Sequence, residues 1–397
     1  MRSLTIAVAL TLGALAFAAP QEAAQEAAQD SAPTELAPPV PAPPRPAGAE
    51  SGPETEITPA HEAAVVRGLV YLAANQNADG SWSAKVGRKL NESYDNTADT
   101  GHVGVTSLAC IAFLAGGHQP GRGKYGQVIE RGLDYVLASC TEDGYITRNK
   151  TRMYSHAFST LFLAEIYGMT HREDVRLKLQ KAVDFIVGCQ NEEGGWRYVP
   201  FESQSDMSIV VCQVIALRAA RNIGIRVPKE TVERASEYVR DSAIGFEEAQ
   251  MSRRRRFGSN LTGSFKYQRE GATRSSFPLT AAGVTALNGL GIYSDEAIGE
   301  GLDYLRRNLD FFNQQRGRAG GGHYFFWYGH YYGVQAMYMA GEPYWTPYFK
   351  ATRDELLAMQ REDGSFPNNV GPGGNFGTAM GVLILEIPYR FLPIFQR

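Results

Sequence analysis

The stretch Lys181 to Arg218, KAVDFIVGCQNEEGGWRYVPFESQSDMSIVVCQVIALR, restricts this chain to few architectures, because it spells out a helix, a tight reversal and a second helix. Val183, Phe185, Ile186 and Val187 recur at helical spacing, Gly194 and Gly195 interrupt the run, and Asp206 opens a second apolar run through Val210, Val211, Val214, Ile215 and Leu217. The first-helix pattern returns at register positions Tyr71, Tyr135, Phe185, Tyr238, Tyr304 and Leu356, spaced by 64, 50, 53, 66 and 52 residues. Six helix pairs fill the chain from residue 58 to its end, which predicts a ring or solenoid of helix pairs.

The second runs, Val103 to Leu114, Ala157 to Tyr167, Met207 to Ala219, Leu279 to Leu290, Tyr331 to Met339 and Phe376 to Ile387, are rich in small residues and almost unbroken in their apolarity. The first helices carry Arg, Asp, Glu and Lys on one side. A helix apolar all round is buried, so the second helices are expected to form an inner ring and the first an outer one. Repeat one inserts Ala84 to Thr100 and repeat four Phe246 to Ser276, including the run Arg253 to Arg256. That run reads as a solvated loop, with contact to an anionic partner as the alternative.

The opening MRSLTIAVALTLGALAFAAP has a basic residue, an apolar run from Ile6 to Leu15 and the small-x-small pattern Ala16-Phe17-Ala18. Residues 1–19 therefore read as a secretory signal peptide, with export to the periplasm or the exterior. The run is too short for a bilayer span of about 20 residues, and membrane association is left open. Residues 20–57 hold Ala, Pro, Glu and Gln with almost no large apolar side chain and read as a disordered linker. A net charge of -3 argues against nucleic acid. The four cysteines contain no CxxC pair, so no metal cluster and no cofactor is expected. Cys110 and Cys212 lie in apolar runs, where a small buried hydrophobe is the default; a bridge between Cys140 and Cys189 stays open.

Between the helices the turn repeats a chemistry: Gln76 with Gly80-Ser81-Trp82, Gln190 with Gly194-Gly195-Trp196, Gln360 with Gly364-Ser365-Phe366. The expected roles are a Gln hydrogen-bonded to the exposed amides opening a neighbouring helix, an aromatic ring stacked on its amide plane, and a Gly for the reversal. This resembles the QW motif of squalene-hopene and oxidosqualene cyclases, shared more loosely with the β subunits of protein prenyltransferases. The resemblance implies an all-α fold, an (α/α)6 barrel or α/α toroid, over all six repeats. Repeat two departs from it, with Cys140 for the Gln and Ile146 for the aromatic. The cyclases' GWRF segment and DxDDTA acid motif are similar to Gly195-Trp196-Arg197-Tyr198 and Ser203-Gln204-Ser205-Asp206-Met207-Ser208. Of the three acids only Asp206 is kept, and Ser205 stands where the protonating acid belongs. The prenyltransferase zinc segment is similar to Gly321 through Trp327, with His323 for the Cys and Gly321 for the Asp. One ligand cannot hold zinc, so no metal site is implied.

Aligning the second helices with one another places His102, His156, Asp206, Pro278, His330 and Phe376 at their openings. The plainer reading is a set of helix caps. The sharper one is a polar site at a cavity mouth, with Asp206, His156 and His102 as catalytic acid-base groups from neighbouring repeats. His330, Tyr328, Tyr331, Trp327 and Arg197 are the ligand-binding candidates, three of them from the aromatic patch of repeat five. Three functions remain open: an exported terpene cyclase-like repeat protein binding an apolar or polycyclic ligand, a secreted carbohydrate-active lyase or hydrolase acting on a polysaccharide, and a non-catalytic interaction module.

Overall fold

The computed structural model describes residues 56–88, 93–96, 100–170, 172–255, 260–270, 274–314, 325–368 and 371–396. The signal-peptide expectation, the linker expectation up to residue 55, and His323 lie outside them; Glu56, inside the expected linker, is buried and accepts from the Trp345 indole N–H at 2.7 Å. Each repeat contributes an outer and an inner helix. The outer helices are α1 (Pro59–Ala74), α3 (Gly126–Ala138), α5 (Glu173–Gly188), α7 (Lys229–Asp241), α10 (Glu296–Gln314) and α12 (Trp345–Met359). The inner helices are α2 (Val103–Ala115), α4 (Met153–Thr170), α6 (Met207–Asn222), α9 (Phe277–Gly289), α11 (Phe326–Ala340) and α13 (Gly374–Glu386). Helix α8 (Phe246–Arg255) belongs to the repeat-four insertion, and the Arg253–Arg256 side chains lie outside the described residues. The repeat-one insertion forms an antiparallel hairpin of β1 (Val86–Arg88) and β2 (Ser93–Asn96).

The inner helices pack in the order α2, α4, α6, α9, α11, α13 and back to α2, which closes an α/α toroid. Every residue of α2 is buried, whereas α7 buries only Thr231, Ala235, Tyr238 and Val239. That contrast follows from the sequence: helices walled by neighbours on all sides are apolar all round, and those facing water keep one stripe. All four cysteines are free thiols, so Cys140 and Cys189 are not bridged.

The turns join one repeat to the next, by a geometry that differs from expectation. Gln76 Nε2 donates to Gly80 O at 3.0 Å and to Val128 O, in the next outer helix, at 2.8 Å. Gln190 does the same with Gly194 O (2.8 Å) and Thr231 O (2.9 Å). The Gln thus donates to carbonyls rather than accepting from amides, while its own oxygen accepts from Arg131. The indole N–H groups of Trp82 and Trp196 reach back to Leu72 O and Ile186 O, each at 2.7 Å. The turn glycine needs positive φ, as at Gly144 (95°), and a Cβ there would lie 2.2 Å from Lys181 O. Repeat six clasps repeat one in the same way: Gln360 Nε2 donates to Ala64 O at 2.8 Å, and Arg67 donates back to Gln360.

Candidate functional site

The helix-opening residues fall into two columns, not one. His102, Asp206 and Ser276 are true N-caps: His102 Nδ1 accepts from Val105 N, Asp206 Oδ1 from Ile209 N, and Ser276 Oγ from Leu279 N. His156 and His330 sit one turn further in, level with Thr106, Thr280 and Thr378. In that second column the side chain accepts from the backbone N–H of its repeat's turn residue: Thr106 from Trp82 (3.0 Å), Thr280 from Phe265 (3.3 Å), Thr378 from Phe366 (3.0 Å), and His156 Nδ1 from Ile146 (3.0 Å).

This accounts for the deviant second repeat. Ile146 is smaller than the tryptophan or phenylalanine of its counterparts, and the imidazole of His156 takes up the volume, its Nε2 lying 3.2 Å from Ala182 O on the next outer helix. Gly132, the equivalent of Ala182, is where the Trp82 ring packs in repeat one. Burial lowers the His156 pKa to about 3, which keeps the ring neutral. His156 therefore faces outward from the barrel and does not join Asp206. His330 likewise faces outward, with Nδ1 at 3.0 Å from Tyr348 Oη and Nε2 at 2.9 Å from Asn313 Oδ1. Trp327 packs edge-on against Phe326 and Phe366, between α11 and the turn of repeat six. The expected cluster of His102, His156 and Asp206 is not assembled, because His156 lies one turn inside its helix and His102 and Asp206 cap theirs.

What surrounds Asp206 instead is hydroxyl groups. Its Oδ1 accepts from Ser208 Oγ at 2.5 Å and Ile209 N at 3.2 Å, and its Oδ2 from Tyr267 Oη at 3.3 Å. Tyr154 Oη donates to Ser208 Oγ at 2.7 Å, and Tyr267 Oη pairs with Tyr198 Oη at 2.6 Å. Tyr267 arrives from the repeat-four insertion, fixed by its carbonyl, which accepts from Met207 N at 2.9 Å. Asp206 is fully buried, and this desolvation raises its pKa from 3.8 to about 6 against the opposing hydrogen bonds and the positive charge of Arg197. Arg197 pairs with Glu202 at 3.3 Å and donates to Gln204 at 2.6 Å.

Below this rim, tyrosines of α11 reach across the ring. Tyr328 Oη donates to Ser208 O at 3.2 Å, Tyr332 Oη lies 3.0 Å from Cys212 Sγ, and the Tyr331 ring meets Phe158 of α4 at 6.0 Å. Tyr331 and Tyr332 are 0% and 1% exposed, so rings fill the middle of the barrel. Tyr328 and Tyr331 thus face the middle of the barrel. Tyr154, Tyr198 and Tyr267 complete the rim, and of the three only Tyr198 carries a signal in the sequence, its adjacency to Trp196. Among the described residues no group of His, Cys, Asp and Glu is placed to hold a metal ion.

No family model and no curated protein sequence matches this chain. Solved structures do. An α-amylase from Clostridium perfringens superposes with a TM-score of 0.56 at 10% identity, over 83% of this chain and 98% of that one. The type II terpene cyclase MstE from Scytonema, bound to geranylgeranyl dihydroxybenzoate, gives 0.55 at 13% identity, over 84% and 98%. An α-1,6-mannanase of Salegentibacter sp., in complex with α-1,6-mannotriose, gives 0.55 at 9% identity, over 82% and 98%. Likeness at this level of identity concerns the backbone alone, and what it establishes is that the chain has the α/α-toroid fold.

Proposed function

We propose that this is an exported toroid enzyme of terpene cyclase-like type. Its rim takes an apolar or polycyclic ligand, and Asp206 serves as a lone general acid. The observation that carries the reading is a fully buried carboxyl with a pKa of about 6, capped by Ser208 and Tyr267 beside the rings of Tyr154, Tyr198 and Tyr328. A carboxyl of that kind is half protonated at about pH 6 and can deliver that proton in mildly acidic solution. Ring faces suit a flat hydrocarbon and stabilise cationic character in it. The tyrosine-filled axis favours a compact ring system over a long polyene.

Glycosidic cleavage by the common route needs two carboxyl groups flanking the bond. The other acids of the rim loop are engaged, Glu202 with Arg197 and Glu193 with the Ser205 amide at 2.7 Å. Export is supported by the apolar run and cleavage pattern of residues 1–19.

The test is native mass spectrometry of the purified protein for co-purifying molecules, with titration of polycyclic terpenoids and of α-1,6-mannotriose, on wild type and Tyr328→Ala. Binding of the terpenoids, weakened in the variant, is expected. Saturable binding of the oligosaccharide alone, or equal binding by both proteins, overturns the reading.

A further inference from the structure

The barrel end opposite Asp206 is closed by the chain's own last residues. After α13 come a 3-10 turn at Ile387–Tyr389, the left-handed residue Arg390 (φ 59°), and a second 3-10 turn at Pro393–Phe395 that lies against α6. Leu392 and Phe395 are 0% and 3% exposed. Ile394 and Phe395 line a small cleft with Arg218, Asn288 and Tyr338 at the C-terminal ends of inner helices.

Two carboxyl groups lie under this segment, and neither is used by the rim. Glu386, the last residue of α13, is 1% exposed, and neither of its oxygens has a hydrogen-bond partner. Glu165 of α4 is 5% exposed; it accepts from the backbone N–H of Ile394, and its Oε2 has no partner. Among the described residues no Lys or Arg forms an ion pair with either. The groups facing Glu386 are Gly116, just past the end of α2, and the phenol of Tyr389, which also feels the charge of Glu62 on α1 and whose ring is 5.5 Å from that of His61 on the same helix. His61 is neutral above pH 5, because burial lowers its pKa to about 4. The titratable group facing Glu165 is the phenol of Tyr331 on α11, which stays protonated. Such unpartnered carboxyls are tolerated only as neutral acids.

We propose that residues 387–396 are a proton-latched plug: with Glu165 and Glu386 protonated the segment seals the barrel, and their ionisation releases it. Opening transfers both carboxyls to water, so it is favoured as pH rises. Burial raises the Glu165 pKa from 4.5 to about 8, and that of Glu386 well above its usual value. A carboxyl moving between 4.5 and about 8 shifts the closed-to-open equilibrium about 50-fold from pH 6 to pH 8.

Trypsin cleavage after Arg390, which is exposed, releases Phe391–Arg397, a peptide readable by mass spectrometry. Its rate of release from the native protein, normalised to an unstructured peptide of the same sequence, is expected to rise at least 50-fold between pH 6 and pH 8, with the helical circular dichroism unchanged. Glu165→Gln should flatten the rise, and the double variant with Glu386→Gln should abolish it. A pH-independent wild-type rate overturns the proposal even if the variants fail to fold. So does a double variant that keeps the wild-type profile, or release that coincides with loss of helix.

Discussion

Replacing Asp206 by Asn tests the electrostatics of the rim without requiring a substrate. In the folded protein the Asp206 carboxyl titrates at about 6, against 3.8 for an unperturbed aspartate. A folded-state pKa raised in this way means the native state holds a proton that the unfolded chain has released. This group therefore contributes no penalty below pH 3.8; a penalty grows as pH rises to about 6 and is constant above. At about 1.4 kcal/mol per pKa unit the full penalty is about 3 kcal/mol. Asparagine keeps an oxygen for the Ser208 hydroxyl and the Ile209 amide and presents an NH2 to the Tyr267 oxygen, so it retains the shape and cannot ionise. Urea unfolding of both proteins across pH 3.5 to 7 gives their stability difference, from which every other titrating group cancels. The variant should gain about 3 kcal/mol on wild type over that interval, nearly all of it by pH 6, whatever constant offset the altered hydrogen bonds add. A difference that does not change with pH refutes the burial argument, and one that changes in the opposite direction means the carboxyl is held ionised.

Three further outcomes follow from the packing. His156→Ala removes two backbone hydrogen bonds and opens a cavity behind Ile146; it should cost about 2–4 kcal/mol in thermal or urea unfolding while leaving ligand affinity at the rim within twofold. Gly144→Ala forces a Cβ to 2.2 Å from Lys181 O at a φ of 95°, and should destabilise by more than 2 kcal/mol or prevent soluble expression. Incubation with squalene should give no hopene by mass spectrometry, since rings of Tyr331 and Tyr332 fill the axis.

The repeat architecture was legible because the pattern that marks it is energetic. Each outer helix shows one apolar stripe and each inner helix shows apolarity on every side, so register, pairing and layer could be read from hydrophobic period alone. Asp206 was legible for a related reason, as the polar residue opening an apolar run. The partners of Asp206 were not. Tyr267 is 61 residues away in sequence and reaches it through an insertion whose path no periodicity records. Sequence does not say which residue caps a helix and which lies one turn inside; the distinction between His102 and His156 rests on what the turn N–H groups bond. The role of His156 depends on the size of Ile146, a compensation visible only once the two meet in space.

The clasp between Gln360 and Ala64 joins residues 296 positions apart. In an open array of helix pairs each repeat rests on its neighbour, and a nascent chain can settle as it emerges. Here the first repeat has an unfilled side until the sixth has been made, so its final contacts wait for nearly the whole chain to leave the ribosome. Contacts of this range complete the ring, and high contact order slows folding. An incomplete product would thus present the bare flank of α1 to solvent, and the same seam allows new termini to be cut between any two repeats if the old ones are joined.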